Sequence, residues 1–218
     1  MSRLVKTKDL KKEIVRQVFF QAESHQVAEN LIGLFLVRII NKDNFKIGRI
    51  VEVEVYRGFD DKASHASKKK TSRNEIMYER GGFYYIYLIY GIYYCLNIVT
   101  ENKNFPSAIL IRAIEPIYDS KRNLEKLSLN EKRVLGSGPG RLCHWLEIDK
   151  SFNEQKVEND NLFLVDKKNL DQLRPGLETG INPPKIKKAK RVGVHYAGES
   201  AHLDWRYYDA GSDYASVG

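Results

Sequence analysis

The stretch that most restricts what this chain can fold into runs from Phe83 to Val99, F-Y-Y-I-Y-L-I-Y-G-I-Y-Y-C-L-N-I-V, apolar and tyrosine-rich and broken only by Gly91 and Asn97. It is the nearest thing to a membrane span in the sequence. It falls short of the roughly 20 residues a span needs, and its tyrosine hydroxyls would be stranded in hydrocarbon. The reading that remains is two strands of a buried sheet, about 83–89 and 92–99, turning at Tyr90-Gly91. Successive strand residues face opposite ways, so Tyr85 and Tyr87 share one face while Tyr84 and Tyr90 have the opposite parity. At least one of these faces must find partners for its hydroxyls or stay near water.

The rest of the chain supplies partners for that hairpin. A third strand from Ala108 to Glu115 carries Arg112, so three consecutive antiparallel strands are expected. Upstream, a strand over Leu34–Ile40 and the polar turn Asn41-Lys42-Asp43-Asn44 lead into a second strand from about Phe45 to Arg57. There V-E-V-E-V-Y has period two: Val51, Val53 and Val55 face one way, Glu52, Glu54 and Tyr56 the other. Residues 58–82 form a long polar loop holding His65 and the run Lys68-Lys69-Lys70. Residues 7–19 show helical spacing at Leu10, Ile14, Val15 and Val18. A further helix, capped by Ser24, runs through Val27, Ala28, Leu31 and Ile32 to Gly33. Beyond Pro116 there is helical spacing at Leu124, Leu127 and Val134, and G-S-G-P-G-R-L-C-H-W-L starts another helix with Pro139 in its first turn. Then come a strand at Leu162–Val165, a loop over 166–184, and the basic run from Pro183 to Val194 with a final strand. The expected class is α+β: one compact domain, 1–218, a mostly antiparallel sheet with surrounding helices.

Charge indicates the kind of partner. The 218 residues include 36 Lys and Arg against 28 Asp and Glu, a net charge of +8, so the chain's field attracts polyanions: nucleic acid or an anionic membrane surface. Two cysteines, Cys95 and Cys143, make neither a disulfide framework nor a C-x-x-C pair, which suits a reducing compartment. The N-terminus has no secretory signal pattern. His25, His65, His144, His195 and His202 show no metal-ligand spacing, and the loop G-S-G-P-G beginning at Gly136 lacks the Lys-Ser/Thr of a P-loop; no metal and no cofactor are expected.

Chemistry then concentrates between Val51 and Arg112. Glu52 and Glu54 are candidate general bases, ionised at neutral pH at a reference pKa of about 4.3. Tyr56 shares their face. Tyr87, inside its strand, suits a pocket wall, and Tyr90, beside Gly91, a wedge of the kind that unstacks duplex DNA. Aromatic faces stacked on bases are worth roughly 1–3 kcal/mol each. His65 reads as a polar or stacking group, and Lys68–Lys70 as a solvated rim. Arg112 suits equally a carboxylate such as Glu115 or a phosphate.

At this point the sequence resembles the alkyladenine (3-methyladenine) DNA glycosylases of the type found in animals and many bacteria. The resemblance covers nearly the whole chain, from L-I-G-L-F-L-V-R at Leu31 through V-E-V-E-V-Y, S-H, T-S-R-N, G-G-F-Y-Y-I-Y-L-I-Y-G-I-Y-Y-C-L-N-I, L-I-R-A-I-E-P and G-S-G-P-G-R-L-C to R-V-G-V-H-Y-A-G-E. It implies the compact fold of that family, without a helix-hairpin-helix. It also implies hydrolysis of the N-glycosidic bond of a damaged purine flipped out of double-stranded DNA, leaving an abasic site. Carried across residue by residue, Glu54 matches the catalytic base, Tyr56 and Tyr87 the stacking aromatics, and His65 the group that completes the base sandwich. Asn97 matches the residue that discriminates among purines and Tyr90 the inserted side chain. Arg112, Tyr93 and Arg141 are taken as DNA contacts. The expected protein is a monomer of the bacterial cytoplasm, acting at the nucleoid, with no membrane partner. Val55, Ser72 and Gly82 depart from the family pattern. Two other classes use the same residues differently: a non-catalytic single-strand binder with tyrosine platforms, and a glycoside hydrolase using Glu52 and Glu54. The second fits less well, because residues i and i+2 lie on one side of a strand whereas its carboxyls must flank the bond.

Overall fold

Strand β2 (Asn44–Arg57) is buried along nearly its whole length and is the strand around which the sheet is built. The computed structural model describes residues 14–173, 177 and 182–216. Within them β2 pairs along one edge with β5 (Ser107–Asp119). Along the other it pairs first with β1 (Phe35–Asn41) and then, at Glu52–Glu54, with β8 (Arg206–Asp209). The sheet order is β3 (Tyr84–Ile89), β4 (Tyr93–Val99), β5, β2, β1, β6 (Leu162–Val165), with β7 (Ile186–Ala189) beside β8, and every pairing is antiparallel. Among the described residues no helix is long and apolar enough to cross a membrane.

The hydrophobic core lies on one face. Val53 and Val55 of β2, Tyr84 and Ile86 of β3, Leu96 and Ile98 of β4, and Ile109 and Ile111 of β5 pack there against two helices. These are α1 (Ser24–Leu31), through Val27 and Leu31, and a helix numbered α3 below, through Leu142 and Trp145. Tyr84 solves its hydroxyl problem by donating to the Leu162 carbonyl, 2.9 Å away.

The period-two reading of β2 holds from Glu52 onward but not at Val51. Register passes from Ile50↔Ile114 through Glu52↔Ala113 to Val53↔Ile111, an irregularity in both strands. Ile50 and Ile114 therefore join Val53 and Ile111 in the main core, while Val51 and Ala113 pack with Tyr214 on the other side. Unbroken alternation from Ile50 would have carried Glu52 and Glu54 into the apolar core. The irregularity turns them, with Arg112 of β5, to the opposite face.

Other elements correct the sequence expectations. Of the N-terminal helix, residues 7–13 lie outside the described residues, and the described part is a 3₁₀ turn, Gln17–Gln21, not an amphipathic helix. Helix α1 is capped by Glu23, which accepts from His25 N–H and Gln26 N–H; Ser24 is instead buried, 2.9 Å from the Thr100 hydroxyl and donating to Glu101. Gly33, with φ +93°, does end that helix. Strand β5 continues through Pro116 to Asp119, so helical structure begins later, with a 3₁₀ turn at Leu124–Lys126 and α2 (Leu129–Gly136), which carries a Ser128–Glu131 capping box. Pro139 opens α3 (Pro139–Trp145) as expected. Part of the expected loop over 166–184 is helical, α4 (Lys167–Leu173). The last strand is β8, not the basic run, which forms β7.

At its last residue α2 lies directly on β5: a Cβ on Gly136 would stand 2.1 Å from the Ile114 carbonyl oxygen. Gly136→Ala is expected to lower stability by about 1–3 kcal/mol through overpacking, read from the denaturant midpoint.

Candidate active site

Cross-strand neighbours face the same way, and the register of four strands builds one wall from this rule. Tyr85 is paired with Asn97, Asn97 with Leu110, and Leu110 with Glu54, while Tyr87 sits opposite Cys95 and Tyr56 opposite Ala108. These residues line a cavity of about 390 Å³, within the usual range of small-molecule pockets. Residues from the 58–82 loop (His65, Arg73) and the C-terminal segment (Val192, Tyr196) border it as well.

Glu52 and Glu54 are both fully buried, so neither is the solvated face that alternating glutamates usually form. Their surroundings differ. Glu52 accepts from Arg206 at 3.0 Å and from the Ser216 N–H and hydroxyl at 2.8 and 2.9 Å, and Arg112 lies 3.2 Å away; all of these partners are internal, and Glu52 is not among the residues lining the cavity. Glu54 accepts from the Tyr56 hydroxyl and from the Val192 N–H, each at 2.8 Å, with Arg112 at 3.5 Å, and it lines the cavity. Burial raises the Glu54 pKa. Arg112, the Val192 N–H and the Tyr56 hydroxyl oppose that rise, and the charge of Glu52 adds to it. Arg112 is thus an internal counter-ion to the two glutamates. Glu115, the carboxylate the sequence offered it, is paired with Arg49 instead.

A buried ion pair fixes these groups in place. Arg191 and Asp61, neither with any exposed side-chain surface, meet through two hydrogen bonds of 2.6 and 2.8 Å. Arg191 also donates to the carbonyls of Val55 and Ser200 and lies 4.8 Å over the Tyr56 ring. The loop leading to His65, strand β2 and the segment carrying Val192 are joined by this one guanidinium. Tyr56 is largely buried beside the Glu54 charge, and both effects raise its pKa well above 10, so its hydroxyl stays a donor to Glu54.

His65 lies at the rim, exposed as a residue but with its ring edge-on to Tyr87 at 4.6 Å and its Nδ1 2.8 Å from the Tyr85 hydroxyl. Burial of the ring first, and the charge of Arg73 second, lower its pKa to about 4, so the imidazole is neutral. Its carbonyl accepts from buried Asn74. The Asn97 amide nitrogen donates to the Tyr85 and Cys95 carbonyls, which leaves its side-chain oxygen as the end that can meet a ligand. Tyr90 stands 85 % exposed at the hairpin tip, where it and Gly91 both take positive φ, as a type I′ turn requires. Tyr93 is exposed and packs against Gly140 at the start of α3, and Arg141 is exposed on α3 with a long bond to the Ser137 carbonyl. Among the described residues no His, Cys, Asp and Glu cluster could hold a metal ion.

Sequence reasoning missed Arg191, Asp61, Arg206 and Arg73. Arg191 sat within the basic run with its expected final strand, and nothing local distinguishes a buried arginine from its lysine neighbours.

The family model for methylpurine-DNA glycosylase matches residues 18–213. A protein of Clostridium novyi (strain NT), provisionally named a 3-methyladenine DNA glycosylase, is 37% identical over 207 residues, covering 91% of this chain and 96% of its own. Proteins of the same provisional name from Desulfitobacterium hafniense (strain Y51) and Natranaerobius thermophilus are 39% and 40% identical, with the same coverage of 91% and 96%. The chain therefore belongs to the methylpurine-DNA glycosylase family and is a DNA glycosylase, an enzyme of base excision repair.

Removing one member of a buried ion pair leaves the other charge uncompensated. Asp61→Asn is expected to cost about 3–5 kcal/mol of stability, and Asp61→Leu with Arg191→Met to recover part of that loss, both read by equilibrium unfolding.

Proposed function

We propose that this glycosylase flips alkylated or otherwise damaged purines, of the 3-methyladenine, 7-methylguanine, ethenoadenine and hypoxanthine class, out of duplex DNA. A water activated by Glu54 then hydrolyses the N-glycosidic bond and leaves an abasic site in an intact strand. The observation that carries this reading is the contrast between two buried glutamates: Glu52 is held by three internal donors away from the cavity, while Glu54 keeps an edge on its aromatic wall. Among the described residues no lysine lines that cavity, which favours water over an amine as nucleophile.

In this mechanism Tyr56, Tyr87 and His65 stack on the flipped base and Asn97 reads its edge. Arg112 holds the carboxylate charge beside the sugar. Tyr90 fills the gap in the duplex, and Tyr93 and Arg141 contact the DNA nearby. Flipping costs a few kcal/mol and is cheapest for damaged or mispaired nucleotides, so selection begins before chemistry. Alkylated purines are electron-poor leaving groups, and the tyrosine faces favour them. The whole chain, 1–218, acts as one monomeric unit, in the bacterial cytoplasm.

The test is Glu54→Gln. It should bind an ethenoadenine duplex yet release base at least about a hundredfold more slowly in single-turnover assays, as loss of a general base does. Wild-type rates in the variant would defeat the assignment. Because the native pKa of Glu54 lies above its unfolded value, the charged form costs stability once pH exceeds both, and the cost fades as pH falls through that window. Glu54→Gln should accordingly match or exceed the wild-type melting temperature at pH 7, with the gain shrinking as the pH falls towards about 4 and absent below it. The acid limb of wild-type activity should lie above the ordinary glutamate range.

Tyr90→Ala should leave the free protein's stability unchanged, since the side chain is almost wholly exposed. Excision at limiting DNA should fall about tenfold or more, the scale of one lost stacking contact.

A further inference from the structure

One cation at the cavity has no part in the chemistry above. Arg73, on the loop after His65, lines the cavity and holds its guanidinium carbon 5.1 Å from the centroid of the Tyr87 ring. Arg112 and Arg191 are matched by carboxylates, Arg112 by Glu52 and Glu54 and Arg191 by Asp61. Among the described residues no carboxylate pairs with Arg73. Its field nevertheless reaches inward: after burial it is the second cause of the low His65 pKa, and it opposes the burial-driven rise at both Tyr85 and Tyr87.

From this geometry we infer that Arg73 is a specificity-determining residue, tilting the pocket against positively charged alkylpurines and towards neutral ones. The inference rests on the flipped-base reading of the same cavity. A base stacked at Tyr87 lies within a few ångströms of an uncompensated positive charge, between aromatic walls that screen it less than water does. The guanidinium over the ring also competes for the π density that would attract a cationic base. A neutral base meets no such repulsion, and one with an exocyclic carbonyl can accept a hydrogen bond from the guanidinium.

The experiment compares wild type, Arg73→Met and Arg73→Lys in single-turnover excision. The duplexes are identical except for one 7-methylguanine, which is cationic, or one hypoxanthine or ethenoadenine, which are neutral. Arg73 is exposed, so both variants should fold, and unfolding midpoints check this. In Arg73→Met the cationic-to-neutral rate ratio should rise about fivefold or more, and in Arg73→Lys, which keeps the charge, stay within about twofold of wild type. An unchanged ratio in Arg73→Met would overturn the inference. So would an equal fall on all three substrates, which would mark Arg73 as a backbone-phosphate contact. If the wild type released none of the three bases, the flipped-base reading itself would fail, and this inference with it.

Discussion

Two glutamates separated by one residue, both buried on an interior strand under a shared arginine, are the constraint on which the rest of the structure depends. Like charges at this spacing in a low-dielectric site repel, and each carries a desolvation cost. The protein meets that cost unequally. Glu52 receives Arg206 and the Ser216 backbone and hydroxyl, which tie the C-terminal segment to β2. Glu54 receives weaker compensation, a tyrosine hydroxyl and one backbone N–H, and its pKa is raised. The unequal treatment sets Glu52 apart from Glu54, the division of labour that the proposed single general base needs.

The surrounding architecture follows from holding this pair. The double irregularity in β2 and β5 turns both glutamates and Arg112 away from the apolar core, and pairing β2 on both edges leaves little freedom to relax. Chain far away in sequence closes the remaining side: β8 supplies Arg206, and the segment before it supplies the Val192 N–H, positioned by the Arg191–Asp61 pair. The carboxylates and their counter-ions are thus held by rigid strands, while His65 on its loop and Tyr90 at the hairpin tip, the groups proposed to meet DNA, are exposed. A buried, incompletely compensated carboxylate costs stability, and the proposed role of Glu54 gives that cost a purpose.

Much of this was legible in the chain itself, because strand parity is a local property. V-E-V-E-V-Y put Glu54 with Tyr56, and the parity of the tyrosine hairpin set Tyr84 apart from Tyr85 and Tyr87; the structure keeps both divisions, whereas Tyr90, in the turn beyond β3, borders the same cavity as Tyr87. The break at Val51 was not legible, since a bulge depends on the partner strand, here Arg112 and Ala113. Helix α4 was read as loop because two turns offer too few apolar positions to show a period. The Arg191–Asp61 pair spans 130 residues, and β8 pairs with a strand some 150 residues before it; such long-range contacts leave no local trace. Arg112 was ambiguous in sequence, and only the fold shows Glu52 and Glu54, not Glu115, as its partners.

The central claim is that Glu54 activates water and no protein amine attacks the sugar. Its most direct test is to incubate the wild-type protein with a duplex bearing one ethenoadenine, with and without borohydride, and examine the DNA before and after alkali. The account predicts free base, a strand that breaks only after alkali, and no protein–DNA adduct in the borohydride arm. A trapped covalent adduct, or a nick before alkali, would contradict it.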